Sequence, residues 1–115
     1  MPSEKDHLQK AERNSRFFEH LIANCPEYLE WIVVAIFYTA LHYVDAFLAT
    51  KGVHPGDHAM RDLQVKTYLR QHYPIYRALK NDSVDARYDT LSFNDSDVRK
   101  NKDRLADIIK GTKTA

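Results

Sequence analysis

Over the nineteen residues from Trp31 to Ala49, the only side chains that ionise near neutral pH are His42 and Asp45. A segment this long and apolar either crosses a membrane or forms a helix buried on most of its sides. His42 and Asp45 interrupt it, and Glu27 and Glu30 stand in the preceding flank, where a basic anchor would be expected. The pattern therefore predicts the central helix of a helical bundle, with no membrane involved. At 100° per residue, Trp31, Val34, Tyr38, His42 and Asp45 fall on one stripe, while Val33, Ile36, Phe37, Ala40, Val44 and Phe47 lie largely opposite. A helix apolar nearly all round is covered on more than one side. Tyr38, His42 and Asp45 then form a polar seam between packed surfaces. Such a seam is either a joint whose polar groups bond to one another or a cleft with perturbed titratable groups.

The flanking sequence supplies the other helices. Ser3 with Asp6 makes a capping-box start for a first helix to Asn24, with Leu8, Ala11, Ser15, Phe18 and Ile22 at helical spacing. Asn24, Pro26 and Glu27 suit the start of a second helix, expected over 26–51 and ended by an αL residue at Gly52. Asp57 caps a third helix, expected over 58–72, and Pro74 opens a fourth that carries Ile75, Tyr76 and Leu79 inward. Residues 80–97 read as irregular, anchored by Val84, Tyr88, Leu91 and Phe93. Asn94 or Asp95 then caps a last helix with Val98, Leu105, Ile108 and Ile109, which is expected to end at Gly111 before a frayed 112–115 tail. No segment alternates with period two, so strands are not expected. The prediction is one all-α domain over 1–115, an antiparallel four-helix bundle with a fifth, C-terminal helix.

Composition excludes several classes. One cysteine, Cys25, rules out an internal disulfide framework and a cysteine-rich zinc site, and fits a reducing cytoplasm. The charged start "MPSEKDHLQK" does not read as a secretory signal. A net charge of +1 gives no global field for polyanions. Glycine-rich phosphate loops and nucleophile elbows are missing.

Two constellations carry chemistry. "HPGDHAMR" brings His54, Asp57, His58 and Arg61 toward the Asp45 end of the central helix. Pro55 and Gly56 break any helical ligand register, so a capped helix start is preferred and no metal is expected. "YLRQHYPIYRALK" interleaves Arg70, His72, Arg77 and Lys80 with Tyr68, Tyr73 and Tyr76. Its cations could neutralise phosphates and its tyrosines stack on unpaired bases, with Arg70, Tyr73, Arg77 and Lys80 the proposed contacts. A solvated helix face explains the same letters equally well.

"FYTALHYVDAFLATKG", followed by His58 with Arg61, the Tyr and Leu positions of the fourth helix, and "DARYD", resembles the HEPN (higher eukaryotes and prokaryotes nucleotide-binding) family over about residues 10–110. The resemblance implies an antiparallel helical bundle, usually a homodimer, that binds nucleotides or RNA without a cofactor. Many members are metal-independent endoribonucleases of toxin–antitoxin, CRISPR or other defence systems, and others partner small nucleotidyltransferases. In the nucleases an Arg and a following His, late in the bundle, act on the ribose 2′-hydroxyl and the phosphate. The pair with comparable spacing here, Arg13 and His20 with Asn14 after the Arg, lies in the first helix. The activity is accordingly left open, with Arg13, His20, His42 and His58 as the catalytic candidates. The ligand pocket expected from the resemblance comprises Tyr38, His42, Asp45, His58, Arg61 and Arg87, with Arg61 and Arg87 meeting phosphate.

Overall fold

A computed structural model of the chain describes residues 1–88 and 92–114, the last of these by its backbone alone. It is all-helical, a bundle of five α-helices among the described residues: α1 Glu4–Asn24, α2 Leu29–Thr50, α3 His58–Tyr68, α4 Tyr73–Tyr88 and α5 Asp95–Thr114. A single 3₁₀ turn, Arg70–His72, joins α3 to α4. Among the described residues, α2 packs against each of the other four helices, and the backbone of α1 runs close to α2 alone. The central helix thus lies between α1 on one side and α4 and α5 on the other. By length and apolarity α2 could cross a membrane, but 72% of that window is buried against the rest of the chain.

The core is centred on α2. Ile32, Val33, Ile36, Phe37, Val44 and Leu48 are almost fully buried, and Phe18, Val65, Tyr76, Leu79 and Ile108 meet them from the surrounding helices. Each such side chain contributes about 1.5–3 kcal/mol of burial. Thr39, also fully buried, donates its hydroxyl to the Ala35 carbonyl at 2.8 Å, so its polar atom is satisfied within the helix.

Local signals set most helix ends. Ser3 and Asp6 form the reciprocal capping box, Asp57 accepts from the Met60 amide at 2.8 Å, and Asn94 and Asp97 exchange bonds at the start of α5. Gly52 sits at φ 72°, the left-handed conformation that glycine adopts without strain.

Other boundaries differ from expectation. Helix α2 begins at Leu29 rather than Pro26, because residues 25–28 form the turn and the Asn24 amide bonds back to His20 instead of capping forward. Helix α3 ends at Tyr68, and the 3₁₀ turn re-aims the chain so that Pro74, which lacks an N–H, occupies the first turn of α4. Residues 80–88, expected to be irregular, continue α4: Leu79, Ser83 and Ala86 lie along its inner side, and Asp82 accepts from Asn101 (3.0 Å) and Arg104 (3.1 Å) of α5. Val84 and Tyr88 do not anchor this stretch, since Tyr88 is 80% exposed, whereas Phe93 does pack on the core. Leu91 lies outside the described residues.

Helix α5 runs through Gly111 to Thr114 instead of ending there. A Cβ on Gly111 would lie 2.5 Å from Nε2 of His72, so this glycine serves a close approach and not a helix stop.

Candidate functional site

The stripe on α2 becomes progressively more enclosed toward its C-terminal half. Trp31 is 54% exposed, Tyr38 and His42 are half-buried, and Asp45 is buried. The cap at Asp57 fixes the start of α3, which places Arg61 opposite Asp45. Arg61 donates from Nε to Oδ1 at 2.7 Å and from Nη2 to Oδ2 at 3.0 Å, a two-pronged pair shielded from solvent on both partners. Burial alone would disfavour the guanidinium charge. The Asp45 bonds and charge outweigh it and shift the Arg61 pKa upward. The third Arg61 nitrogen, Nη1, faces His58 Nδ1 at 3.3 Å. Arginine has no acceptor, so Nδ1 is the unprotonated nitrogen of His58 in that contact. His58 is also pushed below its ordinary pKa, first by burial and then by Arg61, Lys80 and Arg87.

Helix α4 closes the seam. Arg87 donates from Nη1 to the Tyr38 hydroxyl and lies over the Tyr38 and Tyr88 rings at 5.5 and 5.4 Å, while its buried Nε has no partner among the described residues. Arg77 (2.9 Å) and Lys80 both donate to one oxygen of Asp62, leaving the other carboxylate oxygen buried and unbonded. The Tyr76 hydroxyl is likewise buried without a partner, and burial raises its pKa. Four cations (Arg61, Arg77, Lys80, Arg87) therefore face two carboxylates, and the excess charge is positive. Three of the five Arg61 donors are engaged by Asp45 and His58.

On the α1 side, His7 Nδ1 stands 3.4 Å from His42 Nδ1, with the two rings stacked 5.7 Å apart. His42 is pushed down to about 4, first by burial and then by His7, Lys10 and Arg61, with Asp45 opposing, so it is neutral at physiological pH. The sequence pattern missed His7. The short connection at Cys25–Tyr28 folds α1 back along α2 and lays its first turns beside the last third of α2, a pairing that the hairpin geometry alone could have indicated.

The remaining candidates do not converge. Arg13 and His20 are both exposed on α1, and His20 pairs with Asn24. Arg70 is exposed in the 3₁₀ turn, and Tyr73 is half-buried under Lys66, whose Nζ lies 6.0 Å from the ring centre. Arg77 and Lys80 are held by Asp62, and the buried Tyr76 has no accessible face on which a base could stack. Asp57 caps α3 through Oδ1, and among the described residues it does not stand with His54 and His58 in a group whose ligand atoms lie within 4.8 Å of one another.

Two concave surfaces lie away from this seam. One of about 280 Å³ lies between Glu4, Tyr43, Phe47 and Lys113, and one of about 260 Å³ borders His72 and Gly111. No family model matches the chain, and neither the curated proteins nor the solved structures include a significant match, so the functional reading rests on these residues and their geometry.

Proposed function

We propose that this chain is a HEPN-like module, an antiparallel four-helix bundle with a fifth C-terminal helix, that binds a nucleotide or RNA phosphate at the seam between α2, α3 and α4. The observation that carries the reading is the state of Arg87: a guanidinium held by Tyr38, with a buried Nε that no described residue partners, among an excess of cations within the described residues. Phosphate oxygens satisfy such donors in the bidentate manner that guanidinium favours. His58, neutral beside Arg61, adds a hydrogen bond from its other ring nitrogen. The Asp45–Arg61 pair acts as the rigid post that orients His58. The "FYTALHYVDAFLATKG" and "DARYD" stretches that resemble the HEPN family contribute Tyr38, His42, Asp45 and Arg87 to this same seam.

The module works as a homodimer in the cytoplasm, in a defence or toxin–antitoxin setting or beside a nucleotidyltransferase. The exposed aromatic group of Phe17, Tyr28 and Trp31 supports self-association. The test is fluorescence anisotropy of labelled RNA and of a labelled adenine nucleotide, in excess EDTA. Wild type is expected to bind one of them. Arg87→Ala is expected to lose at least about tenfold in affinity with its helical circular dichroism unchanged, the loss of one charge-assisted contact. Unchanged binding removes Arg87 from the site. Cleavage of the RNA in EDTA would make the module an endoribonuclease.

A further inference from the structure

The three seam groups nearest α1 suggest a second kind of ligand. His7 Nδ1 and His42 Nδ1 are 3.4 Å apart, long for a hydrogen bond between ring nitrogens. Two imidazoles about 2.05 Å from a tetrahedral zinc ion stand about 3.3 Å from each other, so the observed spacing is that of two ligands on one metal. Asp45 completes the group: one ligand atom from each of His7, His42 and Asp45 lies within 4.8 Å of the others. Each Asp45 oxygen accepts one bond from Arg61. A carboxylate oxygen has a second lone-pair direction, so the ion pair and a metal bond are compatible. His7 is also the one half-buried residue among the first ten, the others being exposed.

We propose that His7, His42 and Asp45 bind a divalent transition metal of the zinc class, joining the first turns of α1 to α2. Two imidazoles and one carboxylate match the donor preference of zinc and of its cobalt(II) and nickel(II) analogues, and disfavour calcium and magnesium, which take six or more oxygens. Three protein ligands leave a fourth position for water or an added anion. Asp45 is the shared element: it neutralises part of the metal charge and holds Arg61 on its far side, so the metal and the phosphate-binding seam are neighbours with separate ligands. The site does not depend on the nucleotide reading.

The experiment is a cobalt(II) titration followed by visible absorption, with zinc-dependent melting of untagged, EDTA-treated protein. Wild type is expected to develop the intense bands of tetrahedral cobalt and to melt about 5 °C or more higher in saturating zinc. His7→Ala, with His7→Gln as a second variant, is expected to lose both signals, while His20→Ala, at an exposed histidine outside the site, keeps them. Absent or octahedral cobalt bands in wild type overturn the proposal. An equal zinc shift in wild type and the His7 variants overturns it as well, since the metal would then sit on other histidines.

Discussion

Replacing one member of the buried Asp45–Arg61 pair tests whether the polar seam is a structural joint, and the size of the effect follows from its geometry. At about 3 Å and an effective dielectric of about 20, the Coulomb attraction is about 5 kcal/mol. It is offset by a desolvation cost of several kcal/mol for each ion, since the Arg61 and Asp45 side chains are only 11% and 6% exposed. The net worth of the intact pair is therefore small, whereas leaving Arg61 buried without Asp45 costs about 3–5 kcal/mol. Asp45→Leu and Arg61→Met are each expected to destabilise by that amount, a large share of the stability of a domain this size. The double variant Asp45→Leu/Arg61→Met, which removes both charges, is expected to return to within about 1–2 kcal/mol of wild type. Urea unfolding at 25 °C, followed by far-ultraviolet circular dichroism, measures all four proteins. Single variants that cost under about 1 kcal/mol would show that water reaches the pair. A double variant as unstable as the sum of the singles would refute the compensation argument. A stable double variant that no longer binds nucleotide or RNA would show that the pair is kept for its positioning of His58.

Two further outcomes follow from the same geometry. His42 has a folded pKa of about 4 against an ordinary 6.5, under the influence of His7 and Lys10 from α1, Asp45 on its own helix and Arg61 from α3. The unfolded chain binds that proton first, so stability is complete above about 6.5 and falls as the pH drops toward 4. After a discount for the partial exposure of the ring, the loss is about 1–3 kcal/mol. Urea midpoints in EDTA at pH 7.5 and 5 measure it, and His42→Gln should flatten the difference; a midpoint that does not fall on acidification contradicts the assignment. Gly111→Ala drives a methyl group into His72 and disturbs its 2.9 Å bond to Asp107, so thermal melting should show a loss of about 1–2 kcal/mol. In a His72→Ala background the sign should reverse, with the same Gly111→Ala change stabilising by up to about 1 kcal/mol through helix propensity alone; an equal loss in both backgrounds refutes the contact.

Which features were legible in the sequence follows from the range of the interactions involved. The capping box at Ser3 and Asp6, the Asp57 cap and the αL glycine at 52 are encoded within four residues, and each was readable. The Asp45–Arg61 contact was also readable, because the "GVHPGD" loop is too short to carry α3 far from the end of α2. The continuation of α4 through "NDSVDARY" was not, since Asn, Asp and Ser favour turns and the bonds that hold them helical come from Asn101 and Arg104 on another helix. Gly111 was misread because its reason, His72, is 39 positions away. His7 went unnoticed because a lone histidine in a charged amphipathic turn acquires meaning only from its neighbour on α2.

The dependence of α1 on α2 alone has a consequence for how the chain can fail. Among the described residues the backbone of α1 runs close to α2 alone; α5 reaches it only through side chains, as in the Lys102–Glu19 ion pair, which is solvent-exposed and weak. Its release is thus a single event, the loss of one extensive contact surface with α2, and it leaves the packing among α2 to α5 in place. Amide hydrogens along α1 should exchange before those of α2. What the opening uncovers is the α1-facing side of a helix whose most apolar 18-residue window has a mean hydropathy of 1.8, apolar enough to be taken for a membrane span. In that state the uncovered side can accept the α1 of a second molecule, so the same contact that completes the monomer provides a route to exchanged dimers and, when it goes unmet, to aggregation.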